Sequence, residues 1–456
     1  MLPFALHKTF CAAAFAAGAL LLYGCQPEEE LLASQFATPA AQQNSANGQA
    51  IAGQYLVVLT SQSTGTATMA TGREAGRLKQ DRQELLQEAK ISSKDLKQTF
   101  EGAVNGFTAT LTPEQIKMLR NSSKVAYIEQ DRIISLVNTF RKDFPLNKGK
   151  GTPGNTAPSP TPTPAPAPAP EPAPTPPLPQ TPPVPVPAPT PAALPYLPIT
   201  LMAGETVPWN IARVGYGDGT GKTVWIVDSG IDTDNPDLNI DLERSMSFVY
   251  GVPSVEDGYG HGTIVAGIVA ARNNGAGVLG VAANATVVAL RVFDDAGQGT
   301  VSRAVAAINY VIAAAQPGDV VNMSLGGGIS STLDNAVLTA AGKGILFAIA
   351  AGNSGVDCAG ASPARVNAAG VYTVSAMDAY ARLWSGSDYG LSVDFAAPGV
   401  NIISTNKAGG LSSGSSGTSY ASPHVAGILL LRGAVASQGT ITGDKDASPD
   451  PIASLN

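Results

Sequence analysis

The sequence predicts an α/β protein: a parallel-sheet domain covered by helices on both faces, preceded by a small α+β open-faced sandwich. Three observations predict it. Across residues 201–456, short apolar runs rich in β-branched residues alternate with helical segments, the pattern of strands buried on both faces. Across residues 54–137, alternating strand patterns and amphipathic helices follow one another closely, as in a small sandwich. Between these regions lies a stretch dominated by proline, which cannot bury a core.

Composition narrows the function classes. Charged residues make up 14% of the 456 residues, against roughly 25% in an average globular protein, so the chain is rich in small residues and loops. The formal net charge is −7 and no long Lys/Arg cluster is present. Phosphate binding needs a concentrated positive face, so no nucleic-acid partner is expected.

The N-terminus carries an export pattern. His7 and Lys8 precede an apolar run from Cys11 to Tyr23, too short to span a bilayer and of signal-peptide length. Residues 1–24 are therefore expected to be a signal peptide. The run ends in Leu22-Tyr23-Gly24-Cys25, which resembles the lipobox of bacterial lipoproteins, with Tyr23 bulkier than the residue usual there. That resemblance implies a lipid on Cys25 and a membrane partner through it. Cys11 would leave with the signal, and acylation of Cys25 would leave Cys358 alone, so no disulfide framework is expected. Cys358 then reads as a small buried hydrophobe. Residues 25–53 are polar and read as a flexible tether, with structure beginning near Gly53.

Gln54 to Thr60 has the pattern of a strand, and Arg73 to Lys90 that of a helix, with Leu78, Leu85 and Leu86 on one face. Gly106 to Leu111 alternates as a second strand. Thr112-Pro113-Glu114-Gln115 is a capping box with proline at the first helical position, opening a helix over Ile116 to Arg120. Val125 to Leu136 returns as a strand, giving the order β-α-β-α-β. Residues 138–200 form the linker. Within it, Pro153 to Pro198 holds 21 of the 35 prolines and Glu171 as its one charge, an extended spacer of up to ~140 Å at about 3.1 Å per residue.

In the last region, strands are expected at Thr223–Val227, Ala285–Phe293, Val320–Ser324 and Ile345–Ala350. Helices are expected at Thr263–Arg272, Thr300–Ala315, Leu333–Gly342 and from Ser419 onward. Working residues in such sheets gather at the carboxyl ends of strands. Ser419 is followed five residues later by His424, but at about 100° per residue the two lie roughly 140° apart around a helix. His424 therefore reads as a packed helix residue, and a base for Ser419 must come from another segment. The chain has three histidines and His7 lies in the signal, which leaves His261. A neutral imidazole suits removal of a hydroxyl proton and needs a carboxylate to fix its tautomer. Asp228, ending the apolar run Val224 to Val227, is the natural partner.

Asp228-Ser229-Gly230-Ile231-Asp232, Gly260-His261-Gly262-Thr263 and Gly417-Thr418-Ser419 resemble the three catalytic signatures of subtilisin-like serine proteases, in that family's Asp, His, Ser order. The similarity runs from about Val207 to Leu431. It implies Ser419 as nucleophile, His261 as general base and acid, and Asp228 as the orienting carboxylate. Asn353, in Ala350-Ala351-Gly352-Asn353-Ser354-Gly355, matches the oxyanion donor, working with the Ser419 amide. The resemblance further implies that Ser324, Leu325, Gly326 and Gly327 form one substrate-binding edge and Gly297 with Gly299 the other, pairing with an extended peptide.

No cofactor is required for this chemistry, but Asp237, the Asn274 loop and Glu205 match segments that cage a structural calcium. Residues 54–137 resemble the family's inhibitory propeptide, an intramolecular partner, with the protease domain at 201–456. The inserted linker departs from the family, as does the short stretch that follows Ser419. The implied function is a secreted or surface-anchored serine endopeptidase that cleaves proteins or peptides through an acyl-enzyme. It would be made as a self-processing zymogen, cut near Asn138 to Phe144 or near Leu201 to Gly204, and either cut would detach the enzyme from Cys25.

Overall fold

The computed structural model describes residues 47–61, 72–136 and 194–456. The expected signal peptide, Cys25 and nearly all of the proline-rich linker lie outside the described residues.

The first region contains β1 (Ala50–Leu59), α1 (Gly72–Glu88), β2 (Leu96–Phe100), β3 (Gly106–Thr110), α2 (Pro113–Arg120) and β4 (Val125–Ser135). The strands form an antiparallel sheet in the order β4-β1-β3-β2. One sheet face is apolar because Val57, Phe107 and Ala109 project from alternate positions, and Leu78, Leu85 and Leu119 of the two helices close over it. The capping box forms as expected: the Gln115 N–H donates to the Thr112 hydroxyl at 3.3 Å, and the Thr112 N–H donates to the Gln115 side chain at 2.9 Å. The order is β-α-β-β-α-β, one strand more than expected. Leu96-Lys97-Gln98-Thr99-Phe100 has too few apolar residues to announce itself and owes its conformation to pairing with β3. Structure also begins earlier than Gly53. The Gly48 N–H donates to the Ile133 carbonyl at 2.8 Å and the Ile133 N–H to the Gln49 carbonyl at 2.9 Å, which fastens residues 47–49 along β4.

The last region contains α3 (Trp209–Val214), β5 (Thr223–Asp228), α4 (His261–Ala270), β6 (Thr286–Arg291), β7 (Gln298–Thr300), α5 (Val301–Ala314), β8 (Val320–Met323), α6 (Ser331–Ala341) and β9 (Leu346–Ala350). It continues with β10 (Val371–Met377), β11 (Val393–Pro398), β12 (Ile402–Thr405), β13 (Leu411–Ser415), α7 (Thr418–Arg432), β14 (Ala436–Thr440) and β15 (Pro451–Ser454). The main sheet runs β14-β15-β11-β10-β9-β8-β5-β6, parallel except for β14. Its strands are apolar on both faces. Val224 and Ile226 pack toward α4 and α7, while Trp225 and Val227 pack toward α5 and α6. α4 is buried along its whole length, which explains an apolar sequence without a polar stripe. Residues 194–200, expected within the linker, run along this region, with the Leu194 N–H donating to the Arg432 carbonyl at 3.0 Å and the Asp218 N–H to the Leu197 carbonyl at 2.9 Å.

β4 joins the two regions. It pairs antiparallel with β7, placing Ile133, Ile134 and Ser135 opposite Thr300, Gly299 and Gln298. Glu129 and Asp131, two residues apart and hence on one side of β4, reach two helix N-termini. Asp131 accepts from the Ser302 N–H (3.1 Å) and hydroxyl (2.6 Å) in the first turn of α5. Glu129 accepts from the Thr332 N–H (2.9 Å) and hydroxyl (2.7 Å) in the first turn of α6. Helix N-termini carry unpaired N–H groups and partial positive charge, so both carboxylates satisfy donors that would otherwise be buried alone. Asp131→Ala, introduced into a Ser419→Ala chain, is expected to cost about 1–3 kcal/mol by orphaning the Ser302 donors. A thermal midpoint unchanged from the Ser419→Ala parent would show that this contact does not hold the regions together.

Candidate active site

Asp228 ends β5 with its carboxylate fully buried. Its Oδ1 accepts from the Ser229 N–H at 2.7 Å, and its two oxygens meet His261 Nδ1 at 2.8 and 3.0 Å. His261 is the first residue of α4. The close approach requires glycine at 262, because a Cβ there would stand 2.1 Å from the Gly230 carbonyl oxygen. Ser229 and Asp257 fasten the same corner. The Ser229 hydroxyl accepts from the Gly262 N–H and donates to Asp257, while Asp257 accepts from the Gly260 N–H and from the N–H and hydroxyl of Thr263. The helix that carries His261 is thereby tied to the strand that carries Asp228.

A carboxylate at Nδ1 requires the proton there, which leaves Nε2 of neutral His261 as the lone-pair position. Burial alone would push the imidazole down, but the charge and hydrogen bond of Asp228, with Asp257 behind it, outweigh burial and hold it above its ordinary value.

Ser419 is the second residue of α7 and partly exposed. Its hydroxyl donates to the Ser324 carbonyl at 3.3 Å, and the Ser324 hydroxyl donates to the Ser419 carbonyl at 2.7 Å. The second bond has a covalent cause: Pro423, inside α7, lacks the N–H that would close the helical bond to residue 419, and Ser324 supplies the missing donor. The ring of Tyr420, next to Ser419, lies 5.2 Å from that of His261.

Asn353 follows β9. Its Oδ1 accepts from the Thr418 N–H at 2.8 Å and hydroxyl at 2.9 Å. Only an oxygen can meet a backbone N–H, so the carboxamide orientation is set and Nδ2 is left without a partner among the described residues. A cavity of about 680 Å³ opens beside it, lined by Leu136, Leu325, Gly326, Asn353, Ala361 and Ser419 among others.

The Ser324–Gly327 edge lines this cleft, and the Gly297–Gly299 edge pairs with β4, whose last residue, Ser135, lines it together with Leu136. The Gly297 carbonyl accepts from the Leu136 N–H at 2.9 Å, and Gly299 lies opposite Ile134, where a side chain would strike Phe293. The other edge meets β4 through a side chain. Asn47 stands between them, its Nδ2 donating to the Gly326 carbonyl at 3.2 Å and its Oδ1 accepting from the Ser135 N–H at 3.0 Å. Gly327 packs near Ile134, while Gly327 and Gly328 pair with Ser362 and Ala361. No sequence signal marked Asn47, which lies in the polar stretch before the first expected strand.

The family model described as the Subtilase family matches residues 219–439, and the one described as Peptidase inhibitor I9 matches residues 54–137. Subtilisin Savinase of Lederbergia lenta is 42% identical over 235 residues, covering 50% of this chain and 84% of the relative. The chain belongs to the subtilase family. Alkaline serine exoprotease A of Vibrio alginolyticus is 32% identical over 382 residues, 84% of this chain and 60% of the relative. An alkaline protease of Alkalihalobacillus alcalophilus is 43% identical over 241 residues, 51% of this chain and 61% of the relative. The chain thus spans about three fifths of the length of these last two curated relatives.

Elsewhere in this subtilase, the structure brings the three expected metal-site residues together. Asp237 accepts from Asn274 Nδ2 (3.2 Å) and the Val278 N–H (3.1 Å), and Glu205 accepts from the N–H groups of Asn274 and Gly275 (3.0 Å each). Glu205 Oε1 is buried with no hydrogen-bond partner among the described residues. Burial, helped by the charge of Glu205, pushes the Asp237 carboxyl up to about 6. Two crowded carboxylates and an orphaned oxygen fit a hard cation, although no group of three or more His, Cys, Asp or Glu among the described residues could hold one. His424 packs as expected: it is buried, meets the Tyr420 carbonyl and Asn210, and is kept neutral by burial that lowers it to about 3. Cys358 is buried and free, and burial pushes its thiol up to about 12, which makes it a poor nucleophile.

The geometry at His261 can be checked directly. An NMR titration of its ring should give a midpoint above 6.5, and Asp228→Asn should bring that midpoint down. A wild-type midpoint below 6.5 would contradict dominance of the carboxylate over burial.

Proposed function

We infer that this subtilase is a serine endopeptidase, exported and made as a zymogen, with Ser419 as nucleophile, His261 as base and acid, Asp228 as orienting carboxylate and Asn353 as oxyanion donor. The observation that carries the reading is the buried His261–Asp228 pair, formed beside a helix N-terminus bearing Ser419 and a carboxamide whose N–H₂ is turned into the same cleft. For attack, the Ser419 hydroxyl leaves the Ser324 carbonyl and gives its proton to His261 Nε2 as its oxygen bonds the substrate carbonyl carbon. The oxyanion is met by Asn353 Nδ2 and the Ser419 N–H. His261 then passes the proton to the departing amine, leaving an acyl-enzyme. Water repeats the sequence: His261 takes its proton, the carboxylic acid departs, and Ser419 recovers its hydrogen.

Residues 54–137 serve as the inhibitor of the same chain, with β4 lying on the Gly297–Gly299 edge as a substrate strand would. Processing beyond β4, near Asn138 to Phe144, separates inhibitor from enzyme, and with a lipid on Cys25 it also frees the protease from the membrane. The substrates are proteins or peptides in extended conformation. Calcium at Glu205, Asp237 and Asn274 would be structural, neutralising two carboxylates without entering the reaction.

Variants at the site test this reading. Ser419→Ala should remain an unprocessed precursor that no serine-directed phosphonate labels. A processed Ser419→Ala chain would exclude self-cleavage, and an unlabelled wild type would favour an inactive peptide-binding relative. Asn353→Ala should lower kcat by about 10²–10³, the loss seen when a subtilisin loses this kind of donor.

The base must be neutral, and the imidazole sits above 6.5, so kcat/KM should rise with pH through a midpoint on the alkaline side of an ordinary histidine. An acid limb centred below 6.5 would assign the base elsewhere.

Chelation of calcium should lower the thermal midpoint, and Asp237→Asn should abolish most of that sensitivity. In calcium-free buffer the sign for Asp237 is opposite to that of a paired carboxylate. Its folded value of about 6 lies above its unfolded one, so its stability contribution is lost as pH rises from about 4 through 6.

A further inference from the structure

Asn353 stands on the loop Gly352–Asp357, where Thr418 holds its side-chain oxygen and accepts at its hydroxyl from the Gly352 N–H at 3.1 Å. From Ser354 onward the backbone of that loop is held by another segment. Asp388, 4% exposed, accepts at Oδ1 from the Ser354 N–H at 2.8 Å and the Val356 N–H at 3.0 Å. Its own N–H donates to the Gly352 carbonyl at 2.9 Å. Gly352 takes a φ of 122°, and a Cβ there would lie 2.1 Å from Asp388 Oδ2, so the carboxylate fills the space that a side chain would claim. Around it, the Gly355 N–H donates to the Gly386 carbonyl at 3.0 Å and the Tyr389 N–H to the Val356 carbonyl at 3.1 Å. Lys445, from the loop between β14 and β15, donates to the Gly355 and Ser385 carbonyls at 3.2 and 3.1 Å, with its ammonium 5.2 Å from the centre of the Tyr389 ring.

A buried carboxylate costs stability unless donors surround it. Here two of the donors are the amides flanking Gly355, immediately after the residue whose placement sets the oxyanion geometry. We propose that Asp388, with Lys445 holding the Gly355 carbonyl, is a positioning residue that keeps the Asn353 amide aimed at the developing oxyanion. The inference rests on the protease reading and adds to it a requirement outside the three signature motifs.

Asp388→Ala, Asp388→Asn and Lys445→Met are made singly and in an Asn353→Ala background, and each is matured by added tagged wild-type enzyme that is then removed. Rates on a short peptide anilide are divided by the number of sites that a serine-directed phosphonate titrates. Asp388→Ala should lower kcat per titrated site by roughly ten- to a hundredfold, the scale of a small misplacement, while KM moves far less. Asp388→Asn, which keeps one acceptor oxygen, should lose less, and Lys445→Met should show a smaller loss of the same kind. In the Asn353→Ala background the Asp388 effect should nearly vanish, because the group it positions is gone. An undiminished Asp388 effect in that background, or a fall confined to the number of titratable sites, would overturn the proposal. If the alanine variant does not fold, the asparagine variant decides by the same comparison. A wild type that the phosphonate fails to label would instead overturn the protease reading.

Discussion

The cleft depends on one buried carboxylate. Asp228 has no exposure, and a charge so placed is tolerated only with close donors or an opposite charge. Its partners are a backbone N–H and an imidazole, and each constrains what surrounds it. The imidazole must come from the first residue of α4, which forces Gly262 against Gly230 and calls on Asp257 to hold the N–H groups of that helix end. The same pairing assigns the His261 proton to Nδ1 and directs the free nitrogen away from the carboxylate. The electrostatics of one strand end therefore decide the tautomer, the orientation and the raised proton affinity of the histidine.

A second use of carboxylates recurs across the molecule. Asp257, Glu129 and Asp131 each meet the first-turn donors of a helix, where partial positive charge and unpaired N–H groups coincide. Asp257 serves the site internally, whereas Glu129 and Asp131 act across the boundary between the two regions. Their spacing on β4 matches the positions of α5 and α6, so the strand that docks along β7 is fixed by two polar anchors as well as by the apolar contacts of Ile134 and Leu136. Such anchors exist only while β4 is in place, and departure of the strand exposes helix ends that water can satisfy.

The parallel sheet was legible because its strands are continuous apolar runs with helices between them, and the family's three motifs marked Asp228 at a strand end and His261 and Ser419 at the starts of helices. The α2 capping box was legible because its bonds are local. What escaped was nonlocal. Leu96–Phe100 is a strand only by virtue of β3 beside it. β10 and β11 fall outside the expected strands: Val371–Met377 is interrupted by Thr373 and Ser375, and Val393–Pro398 by Asp394, so neither is a continuous apolar run. Asn47 lies in a polar stretch expected to be free, and its role comes from the edge of a cleft formed by residues some 280 positions away. Asp388 and Lys445 are an ordinary loop acid and an ordinary exposed base in one dimension. Their meaning appears only where the chain folds them against the same turn.

Pro423 shows how a sequence feature that looks adverse can serve the geometry. Proline inside a helix removes a hydrogen bond, and here the carbonyl set free belongs to Ser419 itself. Had the helix closed normally, that carbonyl would face down the axis and Ser324 would have no reason to approach. With proline in place, the Ser324 hydroxyl takes the carbonyl and the Ser324 carbonyl takes the Ser419 hydroxyl, so β8 and α7 are joined through reciprocal bonds at the residue proposed to attack. The Ser324–Gly327 edge begins at that joint. In the proposed reaction the Ser419 hydroxyl leaves its bond, and the 2.7 Å bond from the Ser324 hydroxyl to the Ser419 carbonyl stays to fix that edge relative to the attacking residue.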